Sequence, residues 1–275
     1  MRLWTTMLGG GLALLVGCGQ PTSEPANAVA PEAEATPVAP PAAPAPSPSP
    51  SAAAEASATE EKTADYSFAY HYPAAAAAIP PLDAWLRADR EALRTKLAAD
   101  AAEFRREREA DGSPFRAYEG TTAWSVVTET PRLLSLSAEL YEYTGGAHGN
   151  TGYRALVWDK ADGRRLEPTD LFTSKAALQQ AIGDRFCALL DQERAKRRGA
   201  PVVRSDDSFT DCPKVAEATL ILGSTNRRAV NRLGLLVGPY VAGPFAEGTF
   251  DVTVPVTPAV LRAVSPEWRD AFAPR

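Results

Sequence analysis

Residues 132–143, RLLSLSAELYEY, decide how the rest of the chain is read. Leu134, Leu136, Ala138 and Leu140 fall on one side of an extended chain and Ser135, Ser137 and Glu139 on the other, the period-two pattern of a strand with one buried face. Similar runs flank it: Thr121 to Thr128 lies beyond the break at Thr130-Pro131, and Tyr153 to Asp159 follows. Three such runs with short connections predict an antiparallel meander with one face packed on a helix. Asp162-Gly163 supplies a turn into a short return strand, Arg164 to Leu166.

Upstream, residues 65–72 (DYSFAYHY) alternate and read as a first strand ended by Pro73. From Pro80-Pro81 to Glu109 the sequence predicts a long helix, with Leu82, Trp85, Leu86, Leu93, Leu97, Ala101 and Phe104 near one face and Asp111-Gly112 as its stop. Downstream, Ser174 is a candidate N-cap for a second helix running to Arg198, with Leu178, Ile182, Phe186 and Leu189 in a stripe. Ala218 to Leu222, Arg232 to Val237 and Thr249 to Val256 read as strands, Gly238 to Pro244 as a loop, and Pro258 to Phe272 as a short terminal helix. The order predicts an α+β fold, with antiparallel sheet or sheets on two main helices, over residues 64–275 and divisible into two lobes near residue 165.

The N-terminus reads as an address. Arg2 is followed by an apolar run, Leu3 to Val16, too short for a stable membrane span, and then by Leu15-Val16-Gly17-Cys18. This resembles a bacterial lipobox. The resemblance implies a signal peptide over residues 1–17, acylation of Cys18 (a palmitate-bearing lipoprotein) and a durable membrane anchor. The alternative is an ordinary secretory signal with an incidental Cys. Gly19 stands where an Asp would imply inner-membrane retention, so the expected location is the cell envelope: the outer membrane, facing the periplasm, if the cell is Gram-negative. Residues 18–63 are Pro, Ala, Ser and Glu with almost no large apolar side chain and are expected to form a disordered tether, reaching at most about 140 Å at roughly 3.1 Å per residue.

The 275 residues carry a net charge of −5. Residues 18–63 hold six Glu against Lys62, and Arg2 precedes them, so residues 64–275 sit near −1 and have no global field to attract nucleic acid. With Cys18 assigned to lipid, Cys187 and Cys212 remain, and export to an oxidising compartment predicts one disulfide between them. The rival, a metal-binding or redox thiol pair, has neither a C-x-x-C nor a nearby His in its favour.

The most distinctive stretch is residues 141–150, YEYTGGAHGN. Its glycines permit backbone turns that other residues resist, and bare N–H groups there can bind an anion or a carbonyl. Three readings stay open: a structural turn capped by His148, a binding loop of Tyr143, Thr144, Gly145, Gly146, His148 and Gly149, or catalysis by His148. Together with Asp170-Leu171-Phe172 and Pro239-Tyr240-Val241-Ala242-Gly243, this motif is similar to the extracellular domain of lysozyme-sensing anti-sigma factors, which also occurs at the N-terminus of a peptidoglycan deacetylase. The resemblance spans roughly Tyr66 to Val256. It implies an envelope binding or sensing domain whose candidate ligands are a lysozyme-type muramidase or peptidoglycan. The chain departs from those relatives in carrying a lipoprotein signal instead of a spanning helix, and its end near Arg275 is expected to leave no deacetylase domain.

Enzyme signatures are sparse. There is no G-x-S-x-G, H-E-x-x-H or P-loop, and no cofactor or metal is expected. The alternatives to a binding domain are an envelope hydrolase using His148, a zinc site from His71, His148 and a carboxylate, and a purely structural assembly partner. Asp206-Asp207, Asp211, Lys196, Arg197, Arg198 and Arg204 read as solvated charges, the basic helix end having an anion-binding alternative. Trp85, Trp124 and Trp158 read as core, leaving Trp268 as the surface aromatic.

Overall fold

The computed structural model describes residues 55–206 and 208–274; the expected signal peptide, Cys18 and the tether up to residue 54 lie outside them. In chain order the elements are β1 (Glu55–Lys62), β2 (Tyr66–Pro73), α1 (Ala74–Ala77), α2 (Pro80–Ala110), β3 (Tyr118–Glu129), β4 (Leu133–Tyr143), β5 (Asn150–Asp159) and β6 (Arg164–Leu166). There follow α3 (Lys175–Arg198), β7 (Thr219–Gly223), β8 (Arg232–Val237), β9 (Phe250–Pro255) and α4 (Pro258–Ala263). Strands β1 to β6 form one sheet in sequence order, and β7 to β9 a second. The fold is α+β, as the sequence predicts.

Three features differ from the sequence reading. The expected tether stops short of Thr63, because Glu55–Lys62 pairs antiparallel with β2. Its side chains are polar or small, and backbone pairing takes the place of an apolar stripe, helped by Thr59 accepting Arg90 of α2 (3.0 Å) and by Glu61 accepting the Tyr66 hydroxyl and pairing with Arg94 of α2 (3.5 Å). The large sheet is not wholly antiparallel either. β2 pairs parallel with β3, as it must when a 31-residue helix carries the chain back to its starting end. The terminal helix is broken: α4 ends at Ala263 and a separate turn covers Pro266–Ala271, since a residue before proline disfavours helical backbone.

The alternation in β4 sorts two cores. Leu134, Leu136 and Ala138 join Tyr66, Phe68, Tyr70 and Tyr72 of β2 beneath Leu82, Leu86, Leu97 and Ala101 of α2. Leu133, one step out of phase, joins the second core of α3, β7 to β9 and the C-terminal turns. Ser174 caps α3 by accepting the Ala177 N–H (3.0 Å), and Gly199, at φ 70°, ends it in the left-handed conformation. Trp268 is not a surface aromatic. It is 1% exposed in the second core, with the Arg132 guanidinium 4.7 Å from its ring.

A polar chain crosses the first core. Trp124 Nε1–H donates to the Tyr70 hydroxyl (2.9 Å), which donates to Asp89 (2.8 Å), and Arg154 closes on both Asp89 oxygens (2.9 Å each). Burial and the Asp89 charge push the Tyr70 hydroxyl far above its ordinary pKa, so it stays a donor. Tyr70→Phe strands the buried indole N–H and is expected to cost about 1–3 kcal/mol in urea unfolding; an unchanged midpoint would show that the indole finds another acceptor.

Candidate functional site

Register pairs Glu142 with Asn150, so Tyr143 to Gly149 form the connection between β4 and β5. All six sequence-named loop candidates lie in it. Gly145 has φ 80°, and a Cβ there would come within 2.7 Å of the Phe104 ring. Gly149 is buried, and a Cβ would overlap the Tyr141 ring. Between them the Gly146 carbonyl accepts the Tyr143 hydroxyl (3.1 Å) and Arg116 (3.4 Å). The glycines thus serve close approach as well as backbone freedom.

The loop presents His148, an exposed side chain with defined partners. Nδ1 lies 2.9 Å from the Gly149 carbonyl, and Nε2 3.2 Å from the Tyr240 hydroxyl. A carbonyl only accepts, so in the neutral ring Nδ1 carries the proton and Nε2 accepts from the tyrosine. The Phe245 ring stacks on the imidazole at 3.8 Å between centroids and 20° between planes, and Tyr240 lies 5.8 Å from Phe245. Tyr240 and Phe245 are 50% and 36% exposed, which makes an aromatic cluster at the surface built from two connections, β4 to β5 and β8 to β9. Tyr240 also sits at φ 67°, a conformation uncommon for a bulky residue; its N–H donates to the Gly243 carbonyl (3.1 Å).

What holds the β8–β9 loop that carries Tyr240 and Phe245 is the basic end of α3, which corrects the solvated-face reading. Arg194 is fully buried and donates to the carbonyls of Ala242 (2.8 Å) and Asp211 (2.8 Å) and to Asp191 (3.1 Å). Burial lowers its pKa below the usual arginine value and the Asp191 carboxylate opposes that. Arg198 closes on both oxygens of Glu247 (2.8 and 2.9 Å) and reaches the Ala242 carbonyl (3.3 Å). Arg197 donates to the carbonyls of Glu247 and Thr249 while stacking on Phe250. Lys196, in contrast, is exposed and, among the described residues, pairs only with Glu193. Arg204, also read as solvated, is tied in: it pairs with Asp191 and donates toward both cysteine sulfurs, whereas Asp211 is exposed, as the sequence predicts, and lends only its backbone carbonyl to Arg194. Cys187 and Cys212 form the expected disulfide, with Cα atoms 5.3 Å apart.

The other sequence candidates do not converge. His71 lies on β2, 4.0 Å from Glu60, and among the described residues no cluster with metal-ligating geometry includes either histidine. The one such group, Cys187, Asp191 and Cys212, has both sulfurs in the disulfide. No carboxylate among the described residues hydrogen-bonds to His148. Phe245 escaped the sequence reading because a single aromatic between Pro244 and Ala246 carries no periodicity; Tyr240 was visible only inside its Gly-Pro-rich motif.

Residues 59–151, about a third of the chain, match the family model described as deacetylase PdaC. The match contains the His148 loop and ends before the Tyr240 and Phe245 loops. Among solved structures, the chain is similar to a DUF3298 family protein from Pseudomonas aeruginosa PAO1, with 18% identity over 80% of this chain and 95% of that one and a TM-score of 0.48. A DUF3298 member from Bacteroides fragilis NCTC 9343 is 17% identical over 72% of this chain and 88% of its own, with a TM-score of 0.44. No curated protein matches. Among the described residues no helix is long and apolar enough to cross a membrane.

The two glycine positions separate close packing from mere turn chemistry. Gly149→Ala is expected to lower stability by about 1–3 kcal/mol through overpacking against Tyr141. Gly146→Ala, with open space around its Cβ, should shift it by less than about 0.5 kcal/mol. Thermal unfolding of both variants checks the contrast.

Proposed function

We propose that the protein is a cell-envelope binding domain that holds the glycan of peptidoglycan on the His148, Tyr240 and Phe245 rings. The observation carrying this reading is the exposed ring cluster itself, preassembled from two separate loops and pinned by buried Arg194 and half-buried Arg198. Flat aromatic faces with polar tips suit sugar rings, whose C–H faces are apolar and whose edges hydrogen-bond. The match to a family described as a deacetylase and the resemblance to envelope sensors support the setting. Against a hydrolase, His148 meets a carbonyl and a phenol, where a general base needs an orienting acid or an activated nucleophile.

Full-length protein titrated with purified muropeptides and with chitin oligosaccharides is expected to bind, and His148→Ala, Tyr240→Ala and Phe245→Ala each to weaken binding about tenfold or more, the size of one strong contact. The three side chains are at the surface, so melting temperatures should hold. Binding that survives all three changes sinks the site. Capture of a lysozyme-type muramidase with no glycan affinity would replace the glycan by a protein ligand.

The lipid anchor belongs to the same proposal: Cys18 acylated, residues 18–54 acting as spacer, and the domain held at the outer membrane of a Gram-negative cell. Radiolabelled palmitate is expected to enter the wild-type protein and not Cys18→Ser. An unlabelled, freely secreted wild-type product would refute the anchor.

A further inference from the structure

On the face of the large sheet that α2 covers, β5 presents Asn150, Gly152 and Arg154, because side chains alternate along a strand and Arg154 is the one that reaches the helix. Arg154 spans the gap to α2 by closing on both oxygens of Asp89 (2.9 Å each). At Gly152 no side chain does so. A Cβ there would meet no atom within 4 Å, whereas one on Gly120, on the same face of β3, would come within 3.0 Å of the Leu97 side chain. The helix packs on β2 and β3, and the β5 side of that face is left uncovered at Gly152.

The result is a cavity of about 320 Å³, at the small end of the range of small-molecule sites. Phe68, Leu93, Leu97 and Leu140 wall it, with the bare backbone of Gly120 and Gly152 between them. Leu93 and Leu140 pack against the first core yet are only half-buried, so a ligand here would remove apolar surface from water. The lining carries three charges, Lys96, Asp100 and Glu142. Lys96 and Asp100 answer each other across one turn of α2. Glu142, on the same face of β4 as Leu140, is exposed and, among the described residues, in no ion pair. Its register partner Asn150 adds an amide. None of the three rings of the surface cluster lines this cavity.

We infer that this cavity is a second binding site, for a small organic amine whose hydrocarbon body fills the slot between α2 and β5 while its ammonium group meets Glu142 and Asn150. The apolar walls select the body, and the carboxylate without a cation selects the sign of the charge. A carboxylate ligand of the same shape is repelled by Glu142, and a neutral one forgoes the ion pair. The size of the slot suits a single ring.

The test is calorimetry on full-length protein with cyclohexylmethylamine, cyclohexylmethanol and cyclohexanecarboxylate, three ligands of one shape and different charge. The amine is expected to bind, and the alcohol and the carboxylate to bind at least about tenfold more weakly. Glu142→Gln should weaken the amine by a similar factor and leave the melting temperature unchanged, since Glu142 is exposed. Gly152→Leu places a side chain in the slot and should abolish amine binding. Gly152→Ala intrudes less and should weaken the amine with no loss of stability, which keeps the test decisive if the leucine variant does not fold. No binding of the amine overturns the site. Equal binding of the alcohol, or full affinity in Glu142→Gln, overturns the role of the carboxylate, and full affinity in both Gly152 variants places the amine elsewhere and overturns the cavity. Tighter binding of a capped lysine peptide than of the free amine would overturn the small-molecule ligand in favour of a protein side chain.

Discussion

The burial of one face of α2 on one face of a six-stranded sheet is the constraint on which everything else rests. Tyr66, Phe68, Tyr70 and Tyr72 from β2, and Leu134, Leu136 and Ala138 from β4, need a cover of matching length, and α2 supplies it through Leu82, Leu86, Leu97 and Ala101. Because side chains alternate, covering that face obliges the opposite one to find its own solution. At the Leu133 and Val157 end the solution is the second core. At the other end β4 and β5 run beyond it and are joined by the glycine loop. There the loop packs Gly145 on Phe104 of α2 and His148 on Tyr240 and Phe245, so both covers reach it.

The sequence made the first core legible because both of its components are periodic. Leu134 to Leu140 keep period two and Leu82 to Phe104 keep a helical stripe, and these patterns survive without knowledge of partners. The parallel pairing of β2 with β3 and the polar strand β1 were hidden, since each depends on which edge is free once the meander has formed. Trp268 was misread for a related reason. Its burial is created by Leu133 and Val157 on a strand pair more than a hundred residues earlier, and by the guanidinium of Arg132 at its face.

The candidate site was legible by half. The glycines and His148 stand together in sequence, so a strand ending in a demanding turn could be recognised. Their ring partners could not, because Tyr240 and Phe245 come from the far side of the second sheet's β8 to β9 connection. The largest misreading concerned charge. Arg194 and Arg198 occupy a run, RAKRR, whose composition looks like a solvated helix end. Carbonyl oxygens at Ala242 and Asp211 and the Glu247 carboxylate turn two of those charges inward. A guanidinium can be buried on such terms because its planar donors satisfy several acceptors at once.

That arrangement bears on how the ring cluster is ordered. The chain carrying Tyr240 and Phe245 is held by a buried arginine whose other acceptor, the Asp211 carbonyl, sits beside the Cys187–Cys212 disulfide. The loop carrying His148 is ordered by a different route, the pairing of β4 with β5 up to Glu142 and Asn150 and the close packing of Gly145 and Gly149 on the Phe104 and Tyr141 rings. The three rings therefore meet because two separately fixed segments arrive at one place, and the rigidity of the cluster comes from the sheet and from the arginines, so that little ordering cost would fall on any ligand the cluster takes.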